Sequence, residues 1–168
     1  MMLMRVLYSA LAVLWFTVTP AAAVDFVVEP LEYDFPADIS AAAEEGKNIV
    51  VMFHQNGCPY CDKMRKRVFP HPKVSALFNE KFYLIEVNNK GSLEVITHDG
   101  ETMTEKDYAQ KMRVRATPVI VFFAQDGTEA LKLTGYQDPD MFTAAGRYVS
   151  MGAFKDGTSF LRFVRAGR

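Results

Sequence analysis

The sequence predicts an α/β fold, a central mixed β-sheet flanked by helices. Two continuous runs of β-branched and aromatic residues, Ile-Val-Val-Met-Phe at 49–53 and Val-Ile-Val-Phe-Phe at 119–123, read as strands covered on both faces. The order strand, helix, strand over 49–87 predicts a right-handed βαβ unit. With 168 residues, 49% of them hydrophobic, the chain has material for one core rather than two.

The elements follow in order. Residues 25–38 form a polar, proline-containing lead, and 39–45 a helix that ends at Gly46. Lys47 and Asn48 introduce the strand 49–53, whose C-terminal end points at Cys58. From Cys58 onward, Met64, Val68 and Phe69 keep apolar spacing between Lys63, Arg65, Lys66 and Arg67, which predicts a helix broken by Pro70 and Pro72. A second helix over 73–79 turns Val74, Leu77 and Phe78 inward and leads to a strand at 82–87. Residues 88–101, with Gly91 and Gly100, read as a loop holding short strands around 93–97. Thr104 with Asp107 starts a helix that runs to Met112, because a Thr with an acid three residues later satisfies the first free N–H groups. The runs 119–123 and 130–134, joined by Gln125-Asp126-Gly127-Thr128, predict a β-hairpin with an Asp-Gly turn. A last long helix covers 139–150, and the tail 151–168 adds a short helix carrying Phe154, Phe160, Leu161 and Phe163.

Residues 1–23 stand apart from this plan. Arg5 precedes an uncharged run up to Val18, then Thr19-Pro20 and Ala21-Ala22-Ala23, the layout of a signal peptide cut before Val24. The run is shorter than the roughly 20 apolar residues that span a bilayer; an uncleaved anchor is the alternative. The expectation is an exported, monomeric protein with a single domain at 24–168. The full chain carries a net charge of −1, and losing Arg5 makes it more negative, which argues against nucleic acid as a partner.

The two cysteines, Cys58 and Cys61, stand in one Cys-Pro-Tyr-Cys motif, too close in sequence to close a large stabilising loop. They serve reactivity or metal binding. At the junction of a buried strand and a helix, free N–H groups and the helix dipole favour an anion. Helix N-termini and Cys-x-x-Cys motifs bring thiol pKa values down to roughly 3.5–7.5, so Cys58 is the expected nucleophile. Cys61, one turn on, is the resolving thiol that attacks a mixed disulfide on Cys58. Pro59 suits the first helical position, and Tyr60 offers an aromatic surface beside the nucleophile. Thr117-Pro118 immediately precedes the apolar strand at 119–123.

A Cys-x-x-Cys at a strand–helix junction, followed by Thr-Pro leading into a hairpin, resembles the thioredoxin superfamily. That resemblance implies a thioredoxin-like fold in which Pro118 is cis and faces the disulfide, with Thr117 and Pro118 as a substrate-docking wall. Pro59 and Tyr60 complete the expected substrate-binding residues. The run Gln55-Asn56-Gly57-Cys58-Pro59-Tyr60-Cys61, Thr104-Glu105-Lys106, and Thr117-Pro118 through Phe122-Phe123 to Gly135-Tyr136 resemble exported thioredoxin-like proteins of the SoxW type. The likeness implies a periplasmic protein-disulfide reductase acting on protein thiols, including carriers in sulfur oxidation. It also implies electrons supplied by a CcdA- or DsbD-like membrane protein, and no cofactor beyond the Cys58–Cys61 pair.

The chain departs from cytoplasmic thioredoxins at Gly57 and Met52, where those proteins have a Trp and a buried Asp. The Pro-Tyr dipeptide is more like glutaredoxin, but Gln125-Asp126-Gly127 stands where glutaredoxins have a Gly-Gly for glutathione. His54 is a candidate for stabilising the thiolate or moving protons, with a solvated strand-end histidine as the plain reading. His71 and His98 read as surface residues. The basic stretch at Lys63, Arg65, Lys66 and Arg67 reads as a solvated helix face or a steering patch for an acidic partner. Tyr136, Met112 and Val114 are assigned no role. Two other functions remain open: a copper or other metal carrier using Cys58, Cys61 and His54, and an oxidase that donates disulfides.

Overall fold

The strand Asn48–His54 (β1) forms the spine of the molecule, and each of its residues but the last is buried. A computed structural model describes residues 24–29 and 33–167 of the chain; the signal-peptide reading at 1–23 lies outside the described residues. β1 pairs in parallel with Phe82–Asn88 (β2) and antiparallel with Val119–Phe123 (β5), which pairs antiparallel with Glu129–Thr134 (β6). The sheet order is therefore β2-β1-β5-β6, the mixed sheet that two continuous apolar strands predict. A small two-stranded sheet of Glu94–Ile96 (β3) and Thr102–Thr104 (β4) lies beside it.

Alternation along the strands sends side chains to two separate cores. On one face, Val50, Met52, Leu84, Ile120 and Phe122 pack with Phe78, Phe142 and Phe163. These rings come from Pro72–Lys81 (α3), Pro139–Ser150 (α5) and Phe160–Arg165 (α6). On the other face, Ile49, Val51, Phe53 and Val121 meet Phe35 and Ile39 of Phe35–Glu44 (α1) and Tyr108 of Glu105–Lys111 (α4). Phe78 and Phe142 stack with ring centroids 4.4 Å apart, which fixes α3 against α5.

Three boundaries differ from the sequence expectation. α1 begins at Phe35 rather than at 39, because Asp34 accepts the Ala37 N–H at 3.0 Å and Pro36 falls in the first turn, where its missing N–H costs nothing. Likewise Pro72 opens α3 instead of merely ending the preceding helix. That preceding helix, Pro59–Lys63 (α2), continues as a π-turn over Met64–Val68, closed by Phe69 N–H donating to the Met64 carbonyl at 3.0 Å. The wider turn keeps Met64, Val68 and Phe69 all in the core. In the tail, Phe163 is buried as expected, whereas Leu161 is exposed.

Candidate redox site

β1 runs into a turn at Gln55–Gly57 and delivers Cys58 to the N-cap of α2. Gly57 has φ +72°, a left-handed conformation that glycine adopts without a Cβ clash. Cys58 has extended backbone angles, and its Sγ accepts the Cys61 N–H at 3.1 Å, so the sulfur itself caps the helix. Pro59 takes the first helical position. Cys58 and Cys61 are joined by a disulfide, with Cα atoms 5.3 Å apart. Cys61 is fully buried and Cys58 is 4% exposed, so what little surface the pair presents belongs to Cys58.

A second donor meets the same sulfur. Thr117 Oγ1 lies 3.3 Å from Cys58 Sγ, brought there by the turn that enters β5. The Thr117–Pro118 peptide bond is cis, and the Pro118 carbonyl accepts the Gly135 N–H at 2.8 Å. That bond brings Gly135 and Tyr136, between β6 and α5, beside the Thr-Pro pair. Tyr136 in turn carries the Lys63 ammonium over its ring, 4.0 Å from the centroid. Tyr60 projects from the first turn of α2 with more than half its surface exposed.

Two members of the basic stretch are therefore engaged rather than free. Lys63 covers Tyr136, a contact the sequence reading assigned to neither residue. Arg65 donates through Nε and Nη2 to Glu86 on β2, at 2.9 and 2.5 Å, and through Nη1 to Asp62 at 3.0 Å. The Arg65 charge is reinforced first by the hydrogen bond to Glu86, against the opposing effect of burial. His54, the last residue of β1, turns Nε2 toward the same carboxylate at 3.9 Å. Glu86 was missed in the sequence, although its place two residues beyond Leu84 puts it on a core-facing side of β2.

The other histidines lie elsewhere. His71 precedes α3, and its Nδ1 is buried without a hydrogen-bond partner among the described residues. His98 corrects the surface reading: its ring packs on Phe123 with centroids 4.8 Å apart, and Nδ1 lies 3.2 Å from the Tyr108 hydroxyl. Burial pushes the His98 imidazole below its usual range. The loop 88–93 is held by Glu105, a buried residue whose Oε1 accepts the Asn88 N–H at 2.9 Å. Among the described residues no three His, Cys, Asp or Glu side chains converge to hold a metal ion, and no helix is long and apolar enough to cross a membrane.

A disulfide at a helix start, with Thr117 against its first sulfur and a β2-β1-β5-β6 sheet behind it, defines a thioredoxin-fold protein with a Cys-x-x-Cys redox pair. The chain belongs to the thioredoxin-like domain family, whose model matches residues 35–150. Over 126 residues it is 25% identical to the thiol:disulfide interchange protein DsbD of Pseudoalteromonas atlantica, covering 73% of this chain and 19% of that protein. The chain thus spans about a fifth of the length of that relative. A thioredoxin from Thermus thermophilus superposes with a TM-score of 0.59 at 25% identity, over 79% of this chain and 94% of the other. A thioredoxin-fold protein from Helicobacter pylori gives 0.62 at 22% identity, over 77% and 91%.

Proposed function

We propose that the protein is an exported thiol–disulfide oxidoreductase that reduces protein disulfides or thiol carriers outside the cytoplasm, with Cys58 as nucleophile and Cys61 as resolving thiol. The observation that carries this reading is the pair of donors, the Cys61 N–H and the Thr117 hydroxyl, that converge on Cys58 Sγ. Hydrogen bonds to a charged form favour that form, so in the reduced protein both stabilise the Cys58 thiolate, the species that attacks a disulfide.

The cycle follows from this arrangement. Cys58 thiolate attacks one sulfur of the substrate disulfide; the new Cys58–substrate bond forms as the substrate S–S bond breaks, and the released substrate thiolate takes a proton. Cys61 then loses its proton and attacks Cys58 Sγ, and the second substrate sulfur leaves as thiolate. The substrate gains two electrons and the protein is left with the Cys58–Cys61 disulfide, which serves as the redox group without a further cofactor. Pro59 and Tyr60, between the two cysteines, and Thr117 and Pro118, joined to Cys58 through the Thr117 hydroxyl, form the substrate-binding surface.

Regeneration then requires a thiol donor. The likeness to DsbD and to the SoxW type supports a CcdA- or DsbD-like membrane protein in that role, a periplasmic location after removal of residues 1–23, and thiol carriers of sulfur oxidation among the substrates. The protein acts as a monomer in this reading. The test is the reduction potential of the purified protein in glutathione or dithiothreitol buffers, read by thiol alkylation and mass. A value near or below about −220 mV supports a reductase, whereas one near about −120 mV marks a disulfide donor instead.

A further inference from the structure

Cys61 has no exposed surface, yet in the cycle proposed above its thiol must give up a proton before its sulfur can attack. The helix that carries it packs through Met64 on the sheet face of Val50, Met52, Leu84, Ile120 and Phe122. Alternation along β1 and β2 adds two titratable side chains to that otherwise apolar face, His54 two residues after Met52 and Glu86 two after Leu84. In the strand register Glu86 stands directly opposite Met52, and His54 opposite Asn88.

These groups are fixed. His54 and Glu86 side chains are 18% and 21% exposed, so their attraction is screened less than that of a surface pair. Arg65 grips the Glu86 carboxylate with Nε at 2.9 and 3.1 Å and Nη2 at 2.5 Å, and is itself held by Asp62. Arg65 follows Cys61 by about one helical turn, which ties the carboxylate to the stretch of helix bearing the resolving sulfur. The next loop closes on the same corner, with Asn89 N–H donating to the His54 carbonyl at 2.8 Å.

We propose that His54 receives the Cys61 proton as the mixed disulfide resolves, and that Glu86, anchored by Arg65, is a positioning residue that orients the imidazole and stabilises its cation. The inference rests on the thiol–disulfide reading. In the step, the Cys61 S–H proton passes to the His54 nitrogen not turned toward Glu86. The Cys61–Cys58 bond forms, the Cys58–substrate bond breaks, and its electron pair leaves on the substrate sulfur, which is protonated from solvent. His54 then returns its proton to water. The charged groups around the imidazole are Glu86 from β2 and Arg65 and Asp62 from the helix; Tyr33, before α1, also feels Glu86 but is held neutral, chiefly by burial.

The experiment uses the reduced protein and the disulfide reagent DTNB in stopped flow. Attack by Cys58 releases one thionitrobenzoate, and resolution by Cys61 releases the second, so the two steps are read separately across pH. His54→Gln slows the second phase relative to the first on the order of 100-fold, the scale of general acid–base catalysis. Glu86→Gln slows it about tenfold, with Glu86→Asp restoring part of the rate. A purely structural role for Glu86 leaves the ratio of phases unchanged and shows no rescue by Glu86→Asp. If Glu86→Gln fails to fold, His54→Gln at the strand end carries the test. A second phase with wild-type ratio and pH profile in the folded variants overturns the proposal. A wild-type protein that releases no thionitrobenzoate overturns the thiol–disulfide reading instead.

Discussion

Thr117 donates its hydroxyl to Cys58 Sγ across 3.3 Å, although 59 positions separate the two in sequence. The contact joins the residue before Pro118 to the first sulfur of the motif, and in the proposed cycle it is one of two hydrogen bonds that favour the Cys58 thiolate. A hydrogen bond to a charged group is worth ~1.5 kcal/mol or more. Thr117→Val removes the donor at nearly constant volume and is therefore expected to slow iodoacetamide alkylation of Cys58 at neutral pH by about tenfold. Thr117→Ser keeps the hydroxyl and should retain most of the rate; equal rates in Val and Ser variants would separate this contact from reactivity.

The slightly greater exposure of Cys58 over Cys61 supports the order of action proposed for them. Cys58→Ser is expected to abolish disulfide reduction, whereas Cys61→Ser leaves the attacking sulfur in place and removes the one that releases the substrate. The Cys61→Ser variant should accumulate mixed disulfides on Cys58, detectable by mass spectrometry of tryptic peptides. Adducts confined to Cys61 in the Cys58→Ser variant, with none on Cys58 in the other, would reverse the roles.

Gly91 lies against the buried Glu105. A Cβ at this position would overlap the Glu105 carboxylate, whose other oxygen holds Asn88 at the end of β2. Gly91→Ala is expected to destabilise the protein by about 1–3 kcal/mol, the usual cost of overpacking, seen as a lower urea midpoint. An unchanged midpoint would mean that Glu105 relaxes freely.

The His98 imidazole is half-buried on Phe123 beside Tyr108, and burial lowers its pKa from the ordinary 6.5. The folded state thus binds this proton less readily than the unfolded chain does. Its contribution to stability is complete above 6.5 and is lost as pH falls from there through the depressed folded value. Urea unfolding between pH 7 and 5 should show stability declining with acid, and His98→Phe should flatten that decline. An identical slope in the variant would assign the acid sensitivity to other groups.

Much of the fold was legible because its signals are local. The runs at β1 and β5 are apolar at every position, which only strands covered on both faces require, and Asp126-Gly127 marks the hairpin between β5 and β6. α1 was placed late because Asp34 and Pro36 carry no apolar periodicity; their effect is to satisfy or omit N–H groups in a first turn. From sequence His98 reads as a surface residue, because nothing in its neighbours predicts that Tyr108 of α4 and Phe123 of β5 pack beside it.

Sequence by itself determined the Cys58-Pro59-Tyr60-Cys61 pair, its place at a strand–helix junction, and the Thr-Pro step before β5, since each depends on residues adjacent in the chain. Only the tertiary structure decided which groups meet those sulfurs and what lies beneath them. Thr117 reaches Cys58 because β5 runs antiparallel beside β1. Glu86 joins His54 and Arg65 because β2 runs parallel on the other side of β1 and the π-turn after α2 carries Arg65 to its carboxylate. Such partners are set by strand order and register, which bring distant residues within a hydrogen bond of one another and leave no trace in local spacing.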